Sequence, residues 1–177
     1  MLRLLSNHGG SANLFFFVSL LYFLLWWLER QSSNNSLKLF NHIRILPLYF
    51  MLFYTMGFPG WEKIMNSAQV MGRYINLFSN SFLSKLPGGI NPFIYFLGLM
   101  ELSVPILLVV SLIKSEFSLK KYPFYLILAI YITIITFVML CFGLSVILNF
   151  PGATNLVFYS IFTLGLYYYV VANLRTN

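Results

Sequence analysis

The sequence predicts an all-α membrane protein, built as a four-helix transmembrane bundle with an additional N-terminal apolar helix and an amphipathic interfacial helix. Three observations predict it. Of 177 residues, 59% are hydrophobic and 8% charged, whereas soluble domains carry roughly 25% charged residues. The chain has too little polar surface to cover a water-exposed globule, and its mean hydropathy of +0.81 agrees. Apolar stretches recur along it at lengths suited to a bilayer. Pro92, Pro123 and Pro151 stand at the boundaries of those stretches, where helix starts and loop breaks belong. The length suits one domain without a separate soluble module.

The first apolar run is Leu14 to Leu28, "LFFFVSLLYFLLWWL". As a helix it reaches about 22 Å, short of a hydrocarbon core of about 30 Å. Arg3 precedes it, as in a signal peptide, but Glu29, Arg30 and Gln31 follow in place of small cleavage-site residues. It is expected to be an uncleaved anchor or an extra span, with Trp26 and Trp27 at the interface. Residues 29–44 form a polar, basic linker, so residues 1–44 make one region and 45–174 the main membrane domain.

Within that domain the second run is Ile45 to Phe58, with Pro47 near its start, where a missing N–H matters least. Gly57, Pro59 and Gly60 are expected to end this helix and bend the chain. From Trp61 to Leu86, apolar residues recur at spacings of three and four (Trp61, Ile64, Met65, Ala68, Met71, Ile75, Phe78, Phe82), with Glu62, Asn66, Gln69, Arg73, Asn76 and Asn80 on the other side. That is an amphipathic helix over 61–86, suited to the interface or to the mouth of the bundle. "LPGGINP", Leu86 to Pro92, turns the chain back. The third run is Pro92 to Ile113, the fourth Tyr122 to Phe150, and the fifth Leu156 to Leu174. The fourth is long enough to tilt or to project from the bilayer.

The net charge is +7, from 11 Lys and Arg against four acids. The bases flank apolar runs, which fits positive-inside topology and contact with lipid headgroups, so nucleic acid is not the expected partner. The rule places the 29–44 linker, the Lys114–Lys121 loop and the C-terminus in the cytoplasm or its equivalent, with the amphipathic helix opposite. The expected locations are a bacterial inner membrane or a mitochondrial inner membrane.

Glu101 is the one acid well inside an apolar run. A carboxylate at the bilayer centre costs about 2.5–3.5 kcal/mol on insertion scales, so such a group faces the bundle interior, finds a partner or stays protonated. Pro105, four residues on, has no N–H for the Glu101 carbonyl, and Ser103 adds a hydroxyl. The group is either a proton-handling or ligand-binding site, or a satisfied interhelical contact. Lys63 and Arg73 are the candidate partners: Lys63 snorkels to lipid or turns inward, and Arg73 lies on the polar face of the amphipathic helix. Thr133, Thr136 and Gly143 share a helix face suited to close packing. Cys141 alone offers no intrachain disulfide. His8 and His42 lie outside the apolar runs, leaving no bis-histidine haem set in the spans, no clustered metal ligands and no nucleotide or hydrolase motif. No cofactor is expected, with quinone as the exception.

With these residues placed, the layout resembles the DoxX-like family of small four-helix membrane proteins. The resemblance covers about 43–174. It rests on Gly60-Trp61-Glu62-Lys63-Ile64 as a G-x-x-K-[LI] step, on Leu86-Pro87, on Glu101-Leu102 as a mid-helix E-L step, and on Met139 in a long third helix. The chain departs from the pattern in its extra run at 14–28 and in Ser103-Val104-Pro105 where glycines often follow. It departs again in Asn149-Phe150-Pro151-Gly152, where a histidine is often found. The resemblance implies the fold more firmly than the activity, because members look like quinone-linked oxidoreductase subunits, redox-maturation factors or assembly chaperones. Three functions follow as expectations. The first is a non-catalytic accessory subunit or assembly factor of a larger respiratory or redox membrane complex, with other membrane subunits as partners. The second is a quinone-linked redox subunit using Glu101, and the third a small-solute or proton transporter.

Overall fold

The computed structural model describes Leu20, Phe23, Leu24, Trp27 and residues 45–118 and 122–175. The expected N-terminal helix and basic linker therefore lie outside the described residues, save for four helical, exposed positions. The chain divides into two units, Met1–Leu48 and Tyr49–Asn177. From residue 45 onward the described residues form five α-helices and no strand: α1 Leu46–Met65, α2 Ser67–Phe78, α3 Asn91–Ile113, α4 Phe124–Val146 and α5 Phe150–Arg175. Short 3-10 turns at Phe82–Lys85 and Glu116–Ser118 complete the path. Three helical stretches are long and apolar enough to cross a membrane: Asn91–Ile113, Phe124–Val146 and Phe150–Ala172.

The first helix does not end where the sequence predicts. α1 runs for 20 residues straight through Gly57, Pro59 and Gly60 to Met65. Pro59 cannot donate to the Thr55 carbonyl, yet the helix continues past it. Here Gly57 and Gly60 lie against α3, so the glycines serve approach and not termination.

The amphipathic helix expected over 61–86 is divided. Its first residues belong to α1, Asn66 interrupts the helix with φ −104° and ψ 35°, and α2 ends at Phe78. Helical bonding crosses the interruption, from Asn66 N–H to Glu62 O and from Val70 N–H to Asn66 O, both at 3.0 Å. The buried face of α2 is Val70, Met71 and Phe78, while Trp61, Met65, Ile75 and Phe82 of the expected stripe are exposed. In a bilayer the apolar stripe need not face the protein, because lipid solvates it as well as a core does. Met71 and Phe78 join Leu83, Ile90 and Ile94 in one buried cluster that seats α2 and its loop on the start of α3. Leu86-Pro87-Gly88-Gly89 then makes the expected turn: Gly89 N–H bonds Leu86 O at 2.8 Å. Gly88 takes φ +83°, which suits a type II turn with Pro at its second position.

α3 packs on α4 and α4 on α5, with Pro92 in the first turn of α3 and Pro123 just before α4. The fourth apolar run is not one long helix. α4 stops at Val146; Leu148 takes a left-handed φ of +59° and α5 starts at Phe150. The turn is held by Asn149 N–H to Leu144 O at 2.9 Å, while the Asn149 Oδ1 accepts Gly152 N–H at 3.2 Å, capping α5.

Candidate functional site

Lys63 lies in the last turn of α1 and Glu101 in the middle of α3. The Lys63 Nζ donates to Glu101 Oε1 at 2.8 Å and to Oε2 at 2.6 Å. Both residues are buried, 4% and 2% exposed. A buried ion pair survives only where its geometry is close and its remaining polar atoms are satisfied, and two glycines supply the closeness. A Cβ at Gly60 would lie 2.9 Å from the Glu101 Cβ and from the Leu102 backbone nitrogen. A Cβ at Gly98 would lie 3.1 Å from the Lys63 Cβ. Each helix thus carries a glycine three residues before its charge, and each glycine receives the charged residue of the other helix.

The same register extends along both helices. Tyr49 meets Ser111, Gly57 meets Pro105, Gly60 meets Glu101, and Ile64 meets Gly98. The α1 numbers rise as the α3 numbers fall, so the two helices are antiparallel and in contact over most of the depth of α3.

Of the two partners the sequence proposes for Glu101, the structure brings in Lys63 and not Arg73. The Arg73 Nη2 donates instead to Glu62 Oε1 at 2.7 Å, with both side chains about half exposed, at 56% and 50%. Tyr74 lies beside this pair. Burial raises its phenol pKa above the ordinary value, and the Glu101 carboxylate raises it further, with Arg73 opposing. Its hydroxyl is therefore a neutral donor at physiological pH.

Sequence reasoning missed a second buried acid, Glu116. It is 7% exposed and sits before the N-terminus of α4. Its Oε2 accepts from Ser111 Oγ at 2.7 Å and Leu126 N–H at 3.0 Å; its Oε1 accepts from Tyr125 N–H at 3.3 Å. The Ser111 hydroxyl spends its one proton on Glu116, so the Tyr49 hydroxyl, 2.7 Å away, donates to Ser111. The carboxylate satisfies orphan donors at the positive end of the helix dipole. Lys114 stays exposed, its Nζ 3.0 Å from the Tyr125 hydroxyl and 4.4 Å from the centre of that ring.

Two cavities adjoin the site. The larger, about 750 Å³, is an apolar groove bounded by Phe78 of α2, Ile94 and Leu97 of α3, Phe142 and Gly143 of α4, and Leu156 of α5. The smaller, about 350 Å³, is lined by Pro59, Glu62, Lys63, Val70 and Arg73. Tyr74 and Leu77 line both. Thr133 and Thr136 are fully buried on α4, with the Thr133 hydroxyl donating to Ala129 O at 2.9 Å, while Gly143, expected on the same packed face, is half-buried and borders the larger groove. Cys141 packs toward α5, its Sγ 3.6 Å from Ala153 O. Among the described residues no three His, Cys, Asp or Glu side chains gather as a metal site.

No family model, no curated protein and no solved structure matches this chain. The DoxX-like resemblance therefore rests on its motif residues alone, two of which, Lys63 and Glu101, are in direct contact.

Proposed function

We propose that the chain is an integral membrane accessory subunit or assembly factor of a larger membrane complex, non-catalytic by itself, with α1 as a fourth span and α5 as its partner face. The antiparallel register of α1 on α3 supports the fourth span, because it carries α1 through the same depth. One observation carries the partner reading. In α3 and in α4, 39% of the apolar stretch is buried; in α5 only 11% is, and α5 has the lowest mean hydropathy of the three. A helix facing lipid alone should be the most apolar where it is most exposed. α5 inverts that relation, presenting Phe158, Ile161, Phe162 and Tyr168 together with Thr154 and Asn155 outward. Aromatic residues of this kind are enriched where proteins meet.

Purification in mild detergent or polymer discs tests the reading. The chain is expected to emerge in a defined multi-protein complex. A double change, Gly165→Leu with Tyr168→Leu, keeps α5 compatible with lipid but alters its shape, and should release the partner while the chain stays folded in the membrane. A lone, monodisperse chain in several mild detergents overturns the proposal, as does a complex indifferent to the double change.

A further inference from the structure

The smaller cavity brings three charged side chains, Glu62, Lys63 and Arg73, onto an otherwise largely apolar lining, and each of the three has its charge partner. Lys63 and Glu101 neutralise each other inside the protein, and Arg73 and Glu62 do so at the surface. The surface pair is solvated on both sides, and exposed pairs of this kind are held weakly. Once parted, it offers a guanidinium suited to a phosphate and, beside it, a carboxylate suited to an ammonium. The Tyr74 hydroxyl borders the same space.

Beyond Tyr74 and Leu77 the character changes. The larger cavity is lined almost wholly by aliphatic and aromatic side chains, and its volume falls in the range of small-molecule sites. It follows the first two turns of α3, from Ile90 to Leu97, the last part of α4, from Val138 to Leu144, and the start of α5, from Gly152 to Tyr159. All three lie toward one membrane face, the face at which α1 ends and α2 lies. A polar mouth at headgroup level and an apolar groove within one leaflet are the two halves of an amphiphile's outline.

We propose that the two cavities together hold one zwitterionic phospholipid of the surrounding leaflet, with an acyl chain in the larger cavity and the phosphate and ammonium of its head on Arg73 and Glu62. The balance of charge selects the zwitterion. An anionic lipid such as phosphatidylglycerol would satisfy Arg73 with its phosphate but offer Glu62 no cation. This inference does not depend on the accessory-subunit reading, since the groove and its mouth are complete within α1 to α5.

The test uses the full chain, delipidated in detergent and exchanged into nanodiscs of phosphatidylethanolamine, phosphatidylcholine or phosphatidylglycerol, with retained lipid counted by native mass spectrometry. One phosphatidylethanolamine or phosphatidylcholine per chain should be retained about tenfold more tightly than phosphatidylglycerol. Gly143→Trp, which fills the groove, should abolish that retention. Glu62→Gln lies on the exposed surface, threatens no core, and should shift the preference toward phosphatidylglycerol. The double reversal Glu62→Arg with Arg73→Glu should restore the zwitterion preference. Equal retention of all three lipids overturns the proposal. So does a preference unmoved by Glu62→Gln, or an isoprenoid quinone retained in place of a phospholipid.

Discussion

A lone charge inside a bilayer is expensive, and the contact of Lys63 with both Glu101 oxygens makes two such charges tolerable together. The net worth of the pair against a well-packed apolar substitute is small, but losing one partner leaves the other buried and uncompensated. Glu101→Gln is therefore expected to destabilise the chain by about 3–5 kcal/mol. The double change Lys63→Met with Glu101→Leu should recover most of the loss. Thermal unfolding in one detergent checks both, and a single variant as stable as wild type contradicts the clamp. The glycines give a graded series. Gly57→Ala meets only ordinary contacts, 3.7 Å from Pro105, and should be neutral or stabilising by up to about 1 kcal/mol from helix propensity. Gly98→Ala crowds the Lys63 stem at 3.1 Å and should cost more; Gly60→Ala meets backbone at 2.9 Å and should cost most. Unfolding midpoints in any other order contradict the register. The sequence marked Glu101 because an acid interrupts an apolar run, and Lys63 because it follows one. It did not reveal Gly60 as a contact, because a glycine beside a proline reads as a helix end. Glu116 stayed hidden because it lies between Lys114 and Lys120 and reads as one more loop charge. Between Lys63 and Arg73 the sequence does not choose, because spacing along a helix names a face, here the solvated one for Arg73, and not the tertiary neighbour that face meets.

Helix ends are where side chains do the work that the ladder cannot. Glu116 serves α4 in this way, taking the Tyr125 and Leu126 amides and the Ser111 hydroxyl at once. Glu116→Ala strands those donors, each costing about 1–3 kcal/mol when buried and unmet. Hydrogen exchange should show faster exchange at the Tyr125 and Leu126 amides, with the middle of α4 unchanged. Unaltered exchange there would remove the cap from the account. At the other end of α4, Leu148 holds φ +59° while 73% exposed, a conformation that costs a non-glycine residue about 1–2 kcal/mol. Leu148→Gly should raise the unfolding midpoint, since it relieves strain and forfeits little packing; a lowered midpoint would contradict this. The fourth apolar run of the sequence extends across that turn without interruption. Ile147, Leu148 and Phe150 are all apolar, so hydropathy passes across the break without a mark. The signals that did exist were Asn149 as a cap and Pro151 in the first turn of α5. Pro92 and Pro123 gave the starts of α3 and α4 because proline fixes φ where a helix begins. Pro59 misled in α1 because tertiary contact with α3 outweighed a local breaker.

At the scale of the whole molecule, the three spans were legible because length and hydropathy are properties of one segment at a time. The clasp of α1 on α3 was not, because it depends on two segments 38 residues apart. Orientation across the membrane depends on charge left outside the spans. The connection between α3 and α4 carries Lys114, Lys120 and Lys121, while the connection between α4 and α5, residues 147–149, carries no charge. Lys and Arg in short loops are retained on the cytoplasmic side or its equivalent. The α3–α4 connection, with the end of α5, is therefore expected inside, and the α4–α5 turn outside with α2. Single cysteines report this directly in a Cys141→Ser background. Leu148→Cys, at an exposed position, should react with a membrane-impermeant maleimide added to intact cells or right-side-out vesicles. Ser115→Cys, also exposed, should react only after the membrane is opened. The reversed pattern would show that the basic loop does not set the orientation. Reaction of both from one side would mean that α4 does not cross, and the α1–α3 clasp would then have to form outside a bilayer. There the argument from intramembrane charge would lose its premise, and the cost of Glu101→Gln would rest on the burial of the pair alone.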